Sequence, residues 1–274
     1  MRHNALICSS RRQLCGVLNG WHEKRHMTWI LLRGLTREAR HWGGFAAQLA
    51  AHIDQDAVTV LDLPGSGDFY QQPSPISVRA MVLFARHELL TRGIKPPYKL
   101  LAMSLGGMVA TSWAQRYPIE IDRLVLINTS MRPFSSLTDR LRPTNWAKLG
   151  VLAARWQDSD YAENTIHQLT CNLKSCQGDD LALWRQIRKI APVSRSNAVR
   201  QLWAAARFRC ASSAPRCPVL VLSSRADRLV NPVCSTQLAA AWQATHHNHQ
   251  WAGHDLPHDD GQWVCERIYG WLNE

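Results

Sequence analysis

The sequence is poor in the features that would classify it quickly. No apolar run approaches the ~18 consecutive residues of a membrane-spanning helix, which excludes a span. Residues 1–26 contain no apolar stretch of about 7–15 residues such as a secretory signal needs. The eight cysteines form no Cys-x-x-Cys pair and no zinc-finger spacing with histidine, so neither a metal site nor a disulfide framework is expected. Free thiols in a reducing cytoplasm are the reading that follows. Internal repeats and low-complexity tracts are absent as well.

Acidic residues are also scarce, with 21 Asp+Glu against 32 Lys+Arg and a formal net charge of +11 over 274 residues. Apolar residues at 46% and charged residues at 19% describe a globular chain able to bury a core, which excludes disorder and fibre. The positive surplus invites a nucleic-acid reading until it is located. Residues 27–128 are net +2 and residues 211–274 are net −2, so these flanks cancel. Residues 129–210 hold thirteen bases against six acids, net +7, and residues 1–26 are net +4. The surplus therefore belongs to one internal segment and an N-terminal extension. The extension is expected to be disordered, with Met27 as an alternative start just before the first strong strand. No nucleic-acid motif accompanies the basic segment.

Short β-rich runs alternate with helical patterns. Thr28–Leu32, Val58–Leu61, Tyr98–Met103, Arg123–Asn128 and Pro218–Ser223 read as strands, with a short sixth near His249–Trp251. Helical spacing covers Ser77–Arg92, Leu105–Tyr117, Pro232–Gln243 and Asp260–Leu272. Near-continuous apolar strands separated by helices indicate an α/β fold whose mostly parallel sheet is covered on both faces. Between Asn128 and Pro218 the alternation stops and several helices intervene, too long a stretch for an ordinary loop. The expected organisation is a core of residues 27–128 and 211–274, with a helical lid at 129–210.

The sharpest local signal is Ala102-Met103-Ser104-Leu105-Gly106-Gly107, at a strand end and opening a helix. Small residues two positions either side of a serine allow the tight strand-turn-helix of a nucleophile elbow. The plainer reading is a serine that only caps the helix. Partners argue for chemistry. A serine nucleophile needs a base, and the base needs an acid to orient it. Asp227 follows the fifth strand in Ser224-Arg225-Ala226-Asp227, and His254 follows the sixth in Ala252-Gly253-His254. At the end of the fourth strand, the other place for an acid, stands Asn128. His246, His247, His249 and His258 read as solvated loop or strand-edge positions, and Asp255, Asp259 and Asp260 as caps of the last helix. An oxyanion hole calls for two N–H groups, assigned to Leu105 at the helix start and Leu35 after Gly34.

Ser104, Asp227 and His254, the turn Asp62-Leu-Pro-Gly-Ser-Gly67 and the lid-sized insertion together resemble the α/β-hydrolase superfamily, in its lid-bearing esterase-like branch. The resemblance covers residues 27–274, with Arg33-Gly34 standing where the family commonly has His-Gly. It implies a serine hydrolase without cofactor, acting through an acyl-enzyme on a small ester or thioester. Trp146, Trp156, Trp184 and Trp203 of the lid are candidates for an acyl-binding wall or for lid-to-core packing. The lid's bases suit an anionic or carrier-bound substrate. Carbon–carbon bond hydrolysis and a non-catalytic binding protein of the same fold are the alternatives.

Overall fold

A computed structural model describes residues 27–53 and 56–274, and the expectations for the N-terminal extension lie outside the described residues. Six parallel strands, β1 (Thr28–Leu32), β2 (Ala57–Leu61), β3 (Tyr98–Met103), β4 (Ile121–Ile127), β5 (Val219–Ser224) and β6 (Thr245–His249), form one sheet in the order β2-β1-β3-β4-β5-β6. Because successive strand side chains point to opposite faces, β3 places Leu100 and Ala102 in one buried layer and Leu101 and Met103 in the other. Burial on both faces is why these strands are apolar without alternation.

Helices α1 (Phe45–His52) and α11 (Gly261–Leu272) cover one face, through Phe45, Leu49, Val264 and Ile268. Helices α2 (Val78–Thr91), α3 (Leu105–Arg116) and α9 (Val233–Trp242) cover the other, through Met81, Val109 and Leu238. Ser77 starts α2 by accepting the Ala80 N–H, and Asp260 starts α11 by accepting that of Trp263. Between β4 and β5 lie α4 (Leu137–Arg140), α5 (Trp146–Ala154), α6 (Ser159–Thr170), α7 (Gln177–Ile190) and α8 (Arg195–Arg207). A short helix, α10 (Leu256–Asp259), joins the end of β6 to α11.

The sixth strand starts four residues before the expected His249–Trp251 and ends at His249, with the sequence Thr-His-His-Asn-His. Among the described residues it is the sheet edge, pairs only with β5, and is mostly half-buried, so polar residues serve there. His246 bonds Ser223 Oγ at 2.7 Å, while His249 is buried and pairs with Asp260 at 3.1 Å. His246 is thus a strand-edge position, one of the two readings made from sequence, whereas His249 is buried and not solvated. The described cysteines are free thiols.

Candidate active site

Chain order along the sheet reverses around β1 and β3, and the carboxyl ends of strands at such a point leave a crevice. Ser104 stands at the end of β3 with φ 52° and ψ −119°, and its side chain makes no capping bond to α3. The helix-cap reading therefore fails for this serine. Holding a non-glycine residue there costs about 1–3 kcal/mol, so its surroundings must over-determine it. They do so through the Ser104 N–H bonded to Ile127 O at 3.0 Å and Thr129 Oγ1 donating to Ser104 O at 2.7 Å. The turn also needs close backbone approach. A Cβ on Gly106 would lie 2.5 Å from Leu32 O, and one on Gly34 would lie 3.1 Å from Ser104 Cβ. Ala102, where many elbows carry glycine, fits fully buried.

His254 follows β6, and its Nδ1–H donates to Asp227 Oδ2 at 2.7 Å; the carboxylate can only accept, which leaves Nε2 as the basic nitrogen. Asp227 is held by its other oxygen, which accepts the N–H groups of Leu229 and Val230 at 2.8 and 2.9 Å. Burial pushes the His254 imidazole pKa down, but Asp227 by charge and hydrogen bond, and Asp255 by charge, hold it above its ordinary value. Ser104 and His254 line one cavity of about 120 Å³. Leu35 lines it as well, and Leu105 opens α3, where first-turn N–H groups lack intrahelical partners.

Three features of the site were not visible in sequence. Arg33, in place of the usual histidine, donates to Asp255 Oδ1 at 3.0 Å and Oδ2 at 2.5 Å, and stacks 4.7 Å from the Trp42 ring centroid. This buried fork locks the loop after β1 to the residue following His254. Asp255 is thus not a side-chain helix cap, and Arg33 holds its carboxyl below the ordinary range against the opposing effect of burial. Asp259 is not one either; it accepts the N–H groups of Gly253, Asn172 and Leu173. Asn128 has φ 44°, and its amide donates to His254 O at 2.8 Å and accepts the Ser224 N–H at 2.9 Å. The position read as lacking an acid is a clamp on the histidine loop.

The opposite wall comes from the helices between β4 and β5, with Leu149, Leu152, Trp156, Ile166 and Leu169 facing the cavity. Trp156 also donates to Val193 O at 2.8 Å, and Trp184 is buried beneath the Arg37 guanidinium at 4.2 Å. Trp146 and Trp203 are about half exposed and line no part of it. Much of this segment's positive charge is spent internally. Arg140 donates to Ala205 O at 2.6 Å, Arg200 to Ser74 O at 2.6 Å, and Arg188 to Glu163 at 2.9 Å. The bases at the cavity are instead Arg33 and Arg37 from the core, and Arg37 pairs with Glu163 at 2.6 Å.

The family model described as alpha/beta hydrolase fold matches residues 28–260, and the chain belongs to that family. A stretch of 102 residues is 33% identical to the biotin biosynthesis bifunctional protein BioHC of Teredinibacter turnerae, covering 37% of this chain and 17% of that protein. The chain therefore matches only a minor part of this curated relative. The enol-lactonase from Burkholderia xenovorans superposes with a TM-score of 0.72 at 18% identity, covering 91% of this chain and 92% of that one. A thermophilic esterase from Thermogutta terrifontis does so with 0.67 at 22% identity, covering 90% and 89%. At such identities these two structures establish the shared fold alone. Among the described residues, no helix is long and apolar enough to cross a membrane.

Proposed function

We propose that the chain is a serine hydrolase cleaving a small carboxylic ester or thioester through an acyl-enzyme. The observation carrying this reading is the buried His254–Asp227 pair beside the cavity onto which the uncapped, positive-φ Ser104 opens. Ser104 Oγ attacks the acyl carbonyl while His254 Nε2 takes its proton. Asp227 keeps the imidazole in the required tautomer and stabilises its charged form. The N–H groups of Leu105 and Leu35 receive the oxyanion. His254 returns the proton to the leaving alcohol or thiol. It then deprotonates water, which attacks the acyl carbon and frees the acid and Ser104.

Residues 129–210 act as the lid, and their apolar wall receives the acyl group. An anionic or carrier-bound leaving group would be met outside the cavity, since the cavity's own arginines are already paired.

Turnover of a short p-nitrophenyl ester and labelling by a fluorophosphonate test the reading. Ser104→Ala should remove both, with a fall in kcat of about 10⁴-fold or more, while the far-UV spectrum is kept. A parent protein that neither turns over an ester, thioester or diketone nor takes the label overturns it. Within that panel, the preferred substrate assigns the bond.

A further inference from the structure

His167 and Cys171 stand four residues apart on α6 and just beyond its end, which helical periodicity places on one face. His258 comes from α10, four residues after His254. One donor atom from each, a ring nitrogen of either histidine and the Cys171 sulfur, all lie within 4.8 Å of one another. His167 and Cys171 are fully buried. Asp180 of α7 joins them, its Oδ2 accepting from His167 Nε2 at 3.2 Å and from His258 Nε2 at 3.0 Å. A carboxylate oxygen only accepts, so each imidazole in its neutral form carries its proton on Nε2 and leaves Nδ1 bare. The His167 Nδ1 atom is buried and has no hydrogen-bond partner among the described residues. A buried lone pair left so is costly unless something occupies it.

We propose that His167, Cys171 and His258 form a binding site for a borderline-soft divalent transition metal such as Zn²⁺. Two imidazole nitrogens and one thiolate are a donor set this class of ion prefers, with a fourth tetrahedral position left for water. Asp180 is the outer carboxylate that orients both rings, as carboxylates commonly do for metal-bound histidines. On binding, the Cys171 thiol loses its proton to solvent. The 2+ ion is then balanced by the thiolate and the Asp180 carboxylate. Lys174, whose Nζ lies 3.2 Å from Cys171 O, is a nearby opposing charge.

The site joins α6 and α7 to α10 and so clasps the helical segment to the loop carrying His254. Direct bonds follow the same seam: Asp255 N–H to Thr170 O at 2.8 Å, and the Asn172 N–H to Asp259 at 2.8 Å. The role is structural and independent of the proposed hydrolysis. It departs from the reading of the sequence, in which no metal site was expected and His258 was a solvated loop or strand-edge position.

The test uses the full chain, stripped with a chelator and titrated with Co²⁺ alone and then Zn²⁺ alone. Twelve histidines and eight cysteines mean that stoichiometry by itself does not locate a metal. Expected are one Co²⁺ per chain with a thiolate-to-cobalt charge-transfer band, displacement by Zn²⁺, and a higher melting temperature with Zn²⁺. Cys171→Ser should remove the charge-transfer band. Asp180→Asn should weaken Zn²⁺ by about 10- to 100-fold. His258→Gln, at the most accessible ligand, should abolish the Zn²⁺-dependent rise in melting temperature while the chain stays folded without metal. The proposal is overturned if the stripped chain binds neither ion at micromolar concentration. It is equally overturned if Co²⁺ binds without the band, or if folded His258→Gln binds Zn²⁺ as tightly as the parent.

Discussion

On the sheet side of the cavity Arg33, Asp227, His254 and Asp255 are each at most 5% exposed, and each is held by a partner of opposite charge or by a hydrogen bond of 3.0 Å or less. On the helical side the wall is Leu149, Leu152, Trp156, Ile166 and Leu169, with no charged group among them. The segment with the chain's largest charge surplus thus contributes apolar surface to the cavity, while the charge-neutral core supplies its ions. Charged groups need rigid placement to work at low dielectric, and strand ends with short loops give it. Apolar walls need only shape, which packed helices can vary without disturbing the ions. The contrast implies that substitutions on the two sides fail in different ways.

The largest effect is expected from Asp255→Ala. It leaves the Arg33 guanidinium buried without its partner, and breaking such a pair costs about 3–5 kcal/mol. Urea unfolding of the variant measures this directly. The double variant Arg33→Met/Asp255→Leu should recover most of the loss, because replacing a whole buried pair by apolar groups is often near neutral. A double variant as unstable as the single one would show that packing, and not charge, holds this corner. On the helical side, Leu152→Ala should act on selectivity. One methylene in an apolar pocket is worth about 1–3 kcal/mol of discrimination. The ratio of kcat/KM for hexanoyl over acetyl esters should rise at least about tenfold, with kcat on the acetyl ester little changed. An unchanged ratio would remove this wall from the proposed acyl site.

The same division governs what the sequence discloses. The places of Ser104, Asp227 and His254 at strand ends are legible because each sits in a local pattern, a strand end followed by a turn, and their chain order marks them as candidates. The strands are legible for a similar reason, as burial on both faces makes each a short apolar run. The edge strand β6 escapes that rule, being polar and half-buried. Arg33 and Asp255 are 222 residues apart, and nothing in either neighbourhood announces the other. Arg33 was noticeable only as a departure from histidine. Asn128 was read for the charge it lacks, whereas its amide reaches two other segments, at Ser224 and at Gly253–His254. Such long-range polar contacts depend on the final packing and leave no periodicity behind.

The smallest expected effect separates the two members of the Arg33–Asp255 pair by sign. In the proposed mechanism His254 must be neutral to accept the serine proton, so activity should be lost as pH falls through its pKa. Burial lowers that pKa and Asp227 and Asp255 together more than offset it, so the acid limb of kcat/KM should fall above the ordinary value of 6.5. Asp255 adds to the upward shift, while the Arg33 charge opposes it. Asp255→Asn removes the first and keeps the second, so its acid limb should move to lower pH. Arg33→Met does the reverse, and its limb should move to higher pH. The double variant Arg33→Met/Asp255→Leu loses both influences and should lie between the two single variants. Profiles of kcat/KM on one neutral ester, taken for variants shown to be folded at each pH, read this order. If all four limbs coincide, the ion pair fixes only the shape of the histidine loop. If they separate in the stated order, the same pair that joins the loops after β1 and β6 also sets the pH at which the base becomes available.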